Sequence, residues 1–240
     1  MPKSDRLDKI LANLGFGSRS EVRKLILSGK VKVGSETVKD PSFHAEEGSQ
    51  IFFEDAPVDR KEFHYFIMNK PSGFITATED RRERTVMEIF PERIRRMKLF
   101  PVGRLDKDTE GLLLFTDDGD LAHRMISPKN MVEKVYYAVI EGSLDTEKIQ
   151  EFETGLVLEE GFVTMPAKLR IISEKENGAE TEVTVFEGKF HQVKRMFEAV
   201  GCRVTYLKRI QFGSLVLDET QLQAGKYREL SLEEESLIRL

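Results

Sequence analysis

The chain is predicted to be an α+β protein in two parts: a small αα–β module over residues 1–58, then a larger domain over 59–240 built on a mixed, mainly antiparallel sheet. Three observations predict this. Helical apolar spacing occurs twice within the first 30 residues. A polar stretch, Asp55 to Glu62, contains Pro57 and reads as a linker. Beyond it, short β-rich runs alternate with helical patterns and in places have hairpin-like spacing.

In the module, Leu7, Ile10, Leu11 and Leu14 form one apolar stripe, so residues 6–14 read as a helix that Gly15 and Gly17 break. Ser18 and Glu21 form a capping box that starts a second helix. Val22, Leu25 and Ile26 supply its apolar face, and Gly29 is placed to end it. Val31 and Val33 alternate with lysines, and Ile51-Phe52-Phe53 closes the unit as a short strand. In the larger domain, strands are expected at 64–68, 74–78, 112–116, 135–140, 182–186 and 204–210. Helices are expected at 85–90, 119–126, 145–154 and 190–200.

Composition narrows the class. Of 240 residues, 40% are hydrophobic and 33% charged, the balance of a globular protein. No apolar run approaches the roughly 20 residues that span a bilayer, and the N-terminus shows no apolar signal core. The single cysteine, Cys202, permits no internal disulfide, which points to the cytoplasm. Net charge is −5, yet residues 1–40 hold nine Lys and Arg against five Asp and Glu, a local excess of four. Such an excess, with Arg19, Arg23 and Lys24 near a helix start, suits RNA phosphates or an ordinary solvated helix face.

Order resolves part of that ambiguity. Arg6-Leu7-Asp8-Lys9-Ile10-Leu11, then Gly17-Ser18-Arg19-Ser20-Glu21-Val22, then Gly29-Lys30-Val31-Lys32-Val33-Gly34 resembles the S4-type RNA-binding domain over about 50 residues. The resemblance implies that the two helices form an RNA face, with Arg6, Arg19, Arg23, Lys24 and Lys30 as contacts.

The most informative stretch is Pro101 to Thr116, where Gly103-Arg104-Leu105-Asp106 leads through small and acidic residues into an apolar strand. A carboxylate on a strand-anchored loop can be a nucleophile or a general base. On local grounds alone Asp106 fits an Asx turn better. Three further motifs follow the same order as in a known family: Asn69-Lys70-Pro71-Ser72-Gly73 before it, and Glu133-Lys134-Val135-Tyr136 and Gly188-Lys189-Phe190-His191-Gln192-Val193-Lys194-Arg195-Met196 after it. Together the four motifs resemble the RsuA family of rRNA pseudouridine synthases, which join an S4-type domain to this catalytic domain.

That resemblance implies roles. Asp106 would be the catalytic aspartate, Tyr136 would pack against uracil, Lys194 would pair with Asp106, and Arg104 would help open the RNA. Lys70, His191, Gln192 and Arg195 would contact RNA. The reaction, isomerising a uridine to pseudouridine, needs no cofactor and no metal. Val193, Met196, Phe197 and Val200 form an apolar stripe that anchors one face of a helix while His191 and Lys194 share another.

Further basic groups, Arg81, Arg82 and Arg84, then Arg93, Arg95, Arg96 and Lys98, and finally Lys208 and Arg209, suit an RNA footprint. Residues 79–84 are expected to order on the substrate. The third motif looks more like the small-subunit members, which favours 16S rRNA, although Glu110 stands where those members carry a second threonine. A 23S rRNA target, a non-catalytic ribosome-assembly factor and a metal-dependent hydrolase using Asp106, Asp108, Asp117, Asp118 and Asp120 are the rival readings. Asp117 to Asp120 also reads as a turn and helix cap. A monomer is expected, for lack of an extended apolar seam.

Overall fold

The computed structural model describes residues 4–158 and 161–239. Two compact units emerge, one from residues 4–64 with 90–99, the other from 65–89 with 100–239.

The first unit holds strand β1 (Ser4–Arg6), helices α1 (Leu7–Asn13) and α2 (Arg19–Leu27), and strands β2 (Val31–Val33), β3 (Glu36–Thr37), β4 (His44–Glu46), β5 (Ile51–Phe53) and β6 (Ala56–Val58). The expected capping box forms: Glu21 N donates to Ser18 Oγ, and the Glu21 carboxylate takes the Ser18 N–H. Leu7, Leu11, Val22, Ile26, Val31 and Ile51 are buried together as one core. Strands run in the antiparallel order β3-β2-β5-β6, and β1 pairs with β4. Part of the expected linker is therefore a strand. Pro57 is tolerated because β6 is an edge strand, where no partner needs its missing N–H.

A later segment, Phe90–Leu99, completes this unit. It carries the short helix α3 (Glu92–Arg95). Arg93 lies over the Phe16 ring at 4.3 Å, and Arg96 pairs with Glu21 at 2.9 Å and with Glu92. These two arginines, expected in an RNA footprint, are engaged inside the unit.

The second unit is built on a mixed sheet of nine strands. They are β7 (Tyr65–Lys70), β8 (Phe100–Pro101), β9 (Glu110–Thr116), β10 (Lys134–Glu141), β11 (Lys168–Lys175), β12 (Gly178–Val185), β13 (Arg203–Phe212), β14 (Leu215–Val216) and β15 (Tyr227–Glu229). The main path is β11-β12-β10-β13-β9-β7-β15, with β8 beside β9 and β14 beside β13. Every pairing is antiparallel except β13 with β9. Helices α4 (Gly119–Ile126), α5 (Thr146–Thr154), α6 (Gln192–Ala199) and α7 (Leu232–Arg239) accompany the sheet. None of the described helices is long and apolar enough to cross a membrane.

Five of the six expected strands and three of the four helices appear, with shifted ends. Residues 74–78 instead make only an isolated bridge, Ile75 to Thr85, and the expected helix at 85–90 is a 3₁₀ turn, Val86–Ile89. Asp118 caps α4 by accepting the Leu121 N–H and also takes the Tyr65 hydroxyl. This satisfies the turn-and-cap reading of that acidic run.

Candidate active site

Asp106 lies on the loop between β8 and β9. Antiparallel pairing of β7 with β9 sets Lys70 opposite Gly111, so the turn after β7 meets the loop before β9. Three residues outside the loop anchor it. Gly73 N donates to Lys107 O at 2.8 Å. Thr76 Oγ1 donates to Leu105 O at 2.7 Å and accepts the Leu105 N–H at 3.1 Å. Lys70 Nζ donates to Thr109 O at 2.7 Å and to the carbonyls of Lys107 and Pro71 at 3.2 Å each. Asp106 O itself accepts the Thr109 N–H at 3.2 Å. Leu105 and Thr109 are buried, whereas the Asp106 side chain keeps 26% exposure. A backbone fixed on both sides of the carboxylate is preorganised, so little reorganisation is needed on reaction.

Helix α6 supplies the cations. Val193, Met196, Phe197 and Val200 are buried as the stripe anticipates. On the other side Lys194 Nζ lies 3.2 Å from Asp106 Oδ2 and 2.6 Å from Asp108 Oδ1. Burial works against the Lys194 charge, but the Asp108 hydrogen bond and the Asp106 charge outweigh it, and its pKa stands above the ordinary lysine value. Burial likewise opposes ionisation of Asp108, and the Lys194 hydrogen bond and charge, with smaller backbone help, together overcome it, holding that carboxyl below its usual range. His191 Nε2 is 3.6 Å from Asp106 Oδ1, too long for a hydrogen bond. His191 precedes α6 in a left-handed conformation, φ 49°, which turns the chain into the helix.

A narrow cleft is lined by Arg104, Leu105, Asp106, Thr109, Tyr136, Val185, Glu187, Gly188, Lys189, His191, Gln192, Val193 and Leu207. Tyr136 comes from β10, where it sits between Val183 of β12 and Arg209 of β13. The cleft thus combines a carboxyl group, an adjacent ammonium and an aromatic wall. Such a set can hold a flat ring beside a nucleophile or base.

The structure brings Arg104, Asp106, Tyr136, His191 and Lys194 together, and Arg195 sits half-buried on the same helix. Two expected RNA contacts are corrected. Lys70 is fully buried, and its protons go to loop carbonyls, so it has none for RNA. Burial pushes its pKa down to about 8. Gln192 is buried too, donating to Glu187 Oε1 and accepting the Lys189 N–H, each at 2.9 Å. Lys208 and Arg209 leave the expected footprint for the same reason: Lys208 is buried and paired with Glu219, and Arg209 is buried with its Nε on Leu112 O.

In the first unit, Arg23 and Lys24 are exposed on α2. Arg6 and Arg19 both pair with the buried Asp8, at 2.8 and 3.3 Å, and Lys30 pairs with Glu54 at 2.5 Å. Sequence reasoning missed Thr76, Glu187, Val185 and Leu207. Nothing in the local pattern marks them, because each serves the site through distant residues.

Comparisons with known proteins agree with this fold. The family model described as RNA pseudouridylate synthase matches residues 64–199, and the S4 domain model matches 5–51. An uncharacterized RNA pseudouridine synthase of Bacillus subtilis is 45% identical, the match covering 97% of this chain and 98% of that one. The ribosomal large subunit pseudouridine synthase B of Bacillus subtilis is 38% identical, over 98% and 96% of the two chains. The ribosomal small subunit pseudouridine synthase A of Vibrio parahaemolyticus is 39% identical, over 95% and 97%. A crystal structure of a pseudouridylate synthase, 37% identical, superposes with a TM-score of 0.67 over 97% of this chain and 99% of that one. With the four motifs, an S4 domain and full-length relatives in agreement, the chain belongs to the RNA pseudouridylate synthase family.

Proposed function

We propose that this chain isomerises one uridine of ribosomal RNA, in 16S rRNA, to pseudouridine, acting as a cytoplasmic monomer on an assembling small subunit. Residues 1–58 serve as the S4-type RNA-binding domain and 59–240 as the catalytic domain. The observation that carries the reading is Asp106, held by its backbone on both sides and set 3.2 Å from Lys194 in a cleft that Tyr136 lines.

A paired base is out of reach of such a cleft, so the uridine is extruded from its helix. Asp106 either attacks C1′, displacing N1, and is itself displaced when C5 bonds to C1′, or removes a proton from the sugar and later returns it. The N1–C1′ bond breaks, the uracil turns, C5 bonds to C1′, and the proton that leaves C5 is balanced by one gained at N1. No atom is consumed, so the isomerisation requires no external group. Tyr136 packs against the ring, Lys194 holds the carboxylate in place, and the exposed Arg104 helps hold the RNA open. Arg6, Arg19, Arg23, Lys24 and Lys30 meet phosphates on the N-terminal unit, and His191 and Arg195 contact RNA at the cleft.

The small-subunit assignment rests on Phe190-His191-Gln192 in the third motif. A 23S rRNA target is the second reading, because identity to the large-subunit synthase, 38%, nearly equals the 39% to the small-subunit one. Pseudouridine mapping of both rRNAs, with and without the gene, decides. A 16S signal that is lost and then restored by wild type but not by Asp106→Asn, with RNA binding retained by the variant, is the expected outcome. Loss of a 23S signal moves the target. No change in either rRNA removes the catalytic reading.

A further inference from the structure

The rim of the cleft contains an aromatic pair that the chemistry above does not use. Phe190 stacks on His191 with ring centroids 3.8 Å apart and planes 17° from parallel. His191 in turn reaches to 3.6 Å from Asp106. Phe190 is 73% exposed and stacks on a ring that itself lines the cleft. Its flanking residue, Lys189, lines the cleft and lies 5.4 Å from the Phe162 ring. The left-handed turn at His191 and the Lys189 N–H bonded to the buried Gln192 fix the backbone on either side of the pair. The solvent-facing ring is therefore presented on a rigid mount rather than on a loose loop.

An exposed ring on a fixed mount, beside a cation and at the mouth of a site for one extruded base, has the chemistry of a base-stacking platform. Phe190 lies three positions before Val193, the start of the buried apolar stripe of α6. Its exposed face is instead left for a planar partner. We propose that the Phe190–His191 stack receives the nucleobase adjacent to the target uridine, closing the gap left in the RNA stack when that uridine enters the cleft. The platform would act in positioning and would not touch the reacting atoms. This rests on the uridine-extrusion reading above.

The test uses the full chain and an rRNA fragment spanning the uridine found by mapping, with 2-aminopurine replacing the nucleotide on one side or the other. Stacking quenches this base analogue. Wild type and Asp106→Asn should both quench one of the two labels on binding, and Phe190→Tyr should do the same. Phe190→Ala should lose the quench and raise KM about tenfold, the scale of one base–aromatic stack, while kcat falls much less. Quenching that persists in Phe190→Ala, or a KM within about twofold of wild type, overturns the platform. If wild type makes pseudouridine yet quenches neither label, the platform is wrong and the enzyme reading survives. If wild type makes no pseudouridine in the mapped fragment, the underlying reading fails and the platform with it.

Discussion

At the scale of single residues, the site depends on groups that never touch the substrate. Thr76 is the plainest. Its hydroxyl both donates to and accepts from the Leu105 backbone, directly beneath Asp106. Thr76→Val keeps the volume but leaves a buried N–H and a buried C=O without partners, a cost of about 1–3 kcal/mol. The loop would relax, and displacements of an ångström cost about a hundredfold in rate. We expect single-turnover pseudouridine formation to slow at least tenfold at saturating RNA, with a modest drop in melting temperature. An unchanged rate would mean that the Gly73 and Lys70 anchors suffice. Asp106, Tyr136 and Lys194 were legible from motif order. Lys70 and Gln192 were misassigned because a polar residue's letter does not say whether it faces water or a buried carbonyl.

At the scale of elements, one glycine decides the sheet. Gly111 starts the apolar run of β9 and pairs with Arg209 across the single parallel junction. Its φ is +102°, and a Cβ there would lie 2.2 Å from the Arg209 carbonyl oxygen. Because that oxygen belongs to the backbone of β13, the clash cannot be relieved by a rotamer change. Gly111→Ala should destabilise the protein by about 3 kcal/mol or more, from left-handed strain and strand separation together. Urea unfolding measures this. Gly119→Ala is the control: nothing lies within 4 Å of its Cβ position, φ is unremarkable, and α4 should be unaffected or slightly firmer. Helix α6 was readable in advance, since a four-residue apolar stripe needs no partner to be recognised. The failed strand at 74–78 shows the converse. Its composition suits a strand, but residues there turn back to clamp Leu105 and to bridge Thr85, so no ladder forms.

At the scale of the whole molecule, buried cations leave a signature in pH. Burial is the main cause that pushes Lys70 and Lys134 down to about 8 from their ordinary 10.5, with Arg209 adding to the effect on Lys134. Between those values the unfolded chain binds more protons than the folded one, so these two groups make stability rise with pH from about 8 toward 10. Tyr65 and Tyr206 act oppositely above that window, because burial and carboxylate partners raise their pKa values. Compared with Lys70→Met and Lys134→Met, wild type should therefore gain stability across pH 8–10 in thermal unfolding. Activity should move the other way, since a neutral Lys70 keeps two N–H donors for three carbonyls. A stability difference that is flat with pH would show that neither lysine titrates in this range.

The sequence by itself determined the two-part organisation, the helices with a clear apolar stripe, the capping box and the order of the four motifs. These are written in local spacing or in motif order, and both survive without knowledge of the fold. Tertiary structure alone decided which polar groups face solvent. It placed Lys70, Lys208, Arg209 and Gln192 inside, and gave Phe90–Leu99 to the first unit through Arg93 on Phe16 and Arg96 on Glu21. The reason is physical: whether a polar side chain pairs with water, a phosphate or a buried carbonyl depends on which distant segments pack against it. That information enters only when the chain closes on itself.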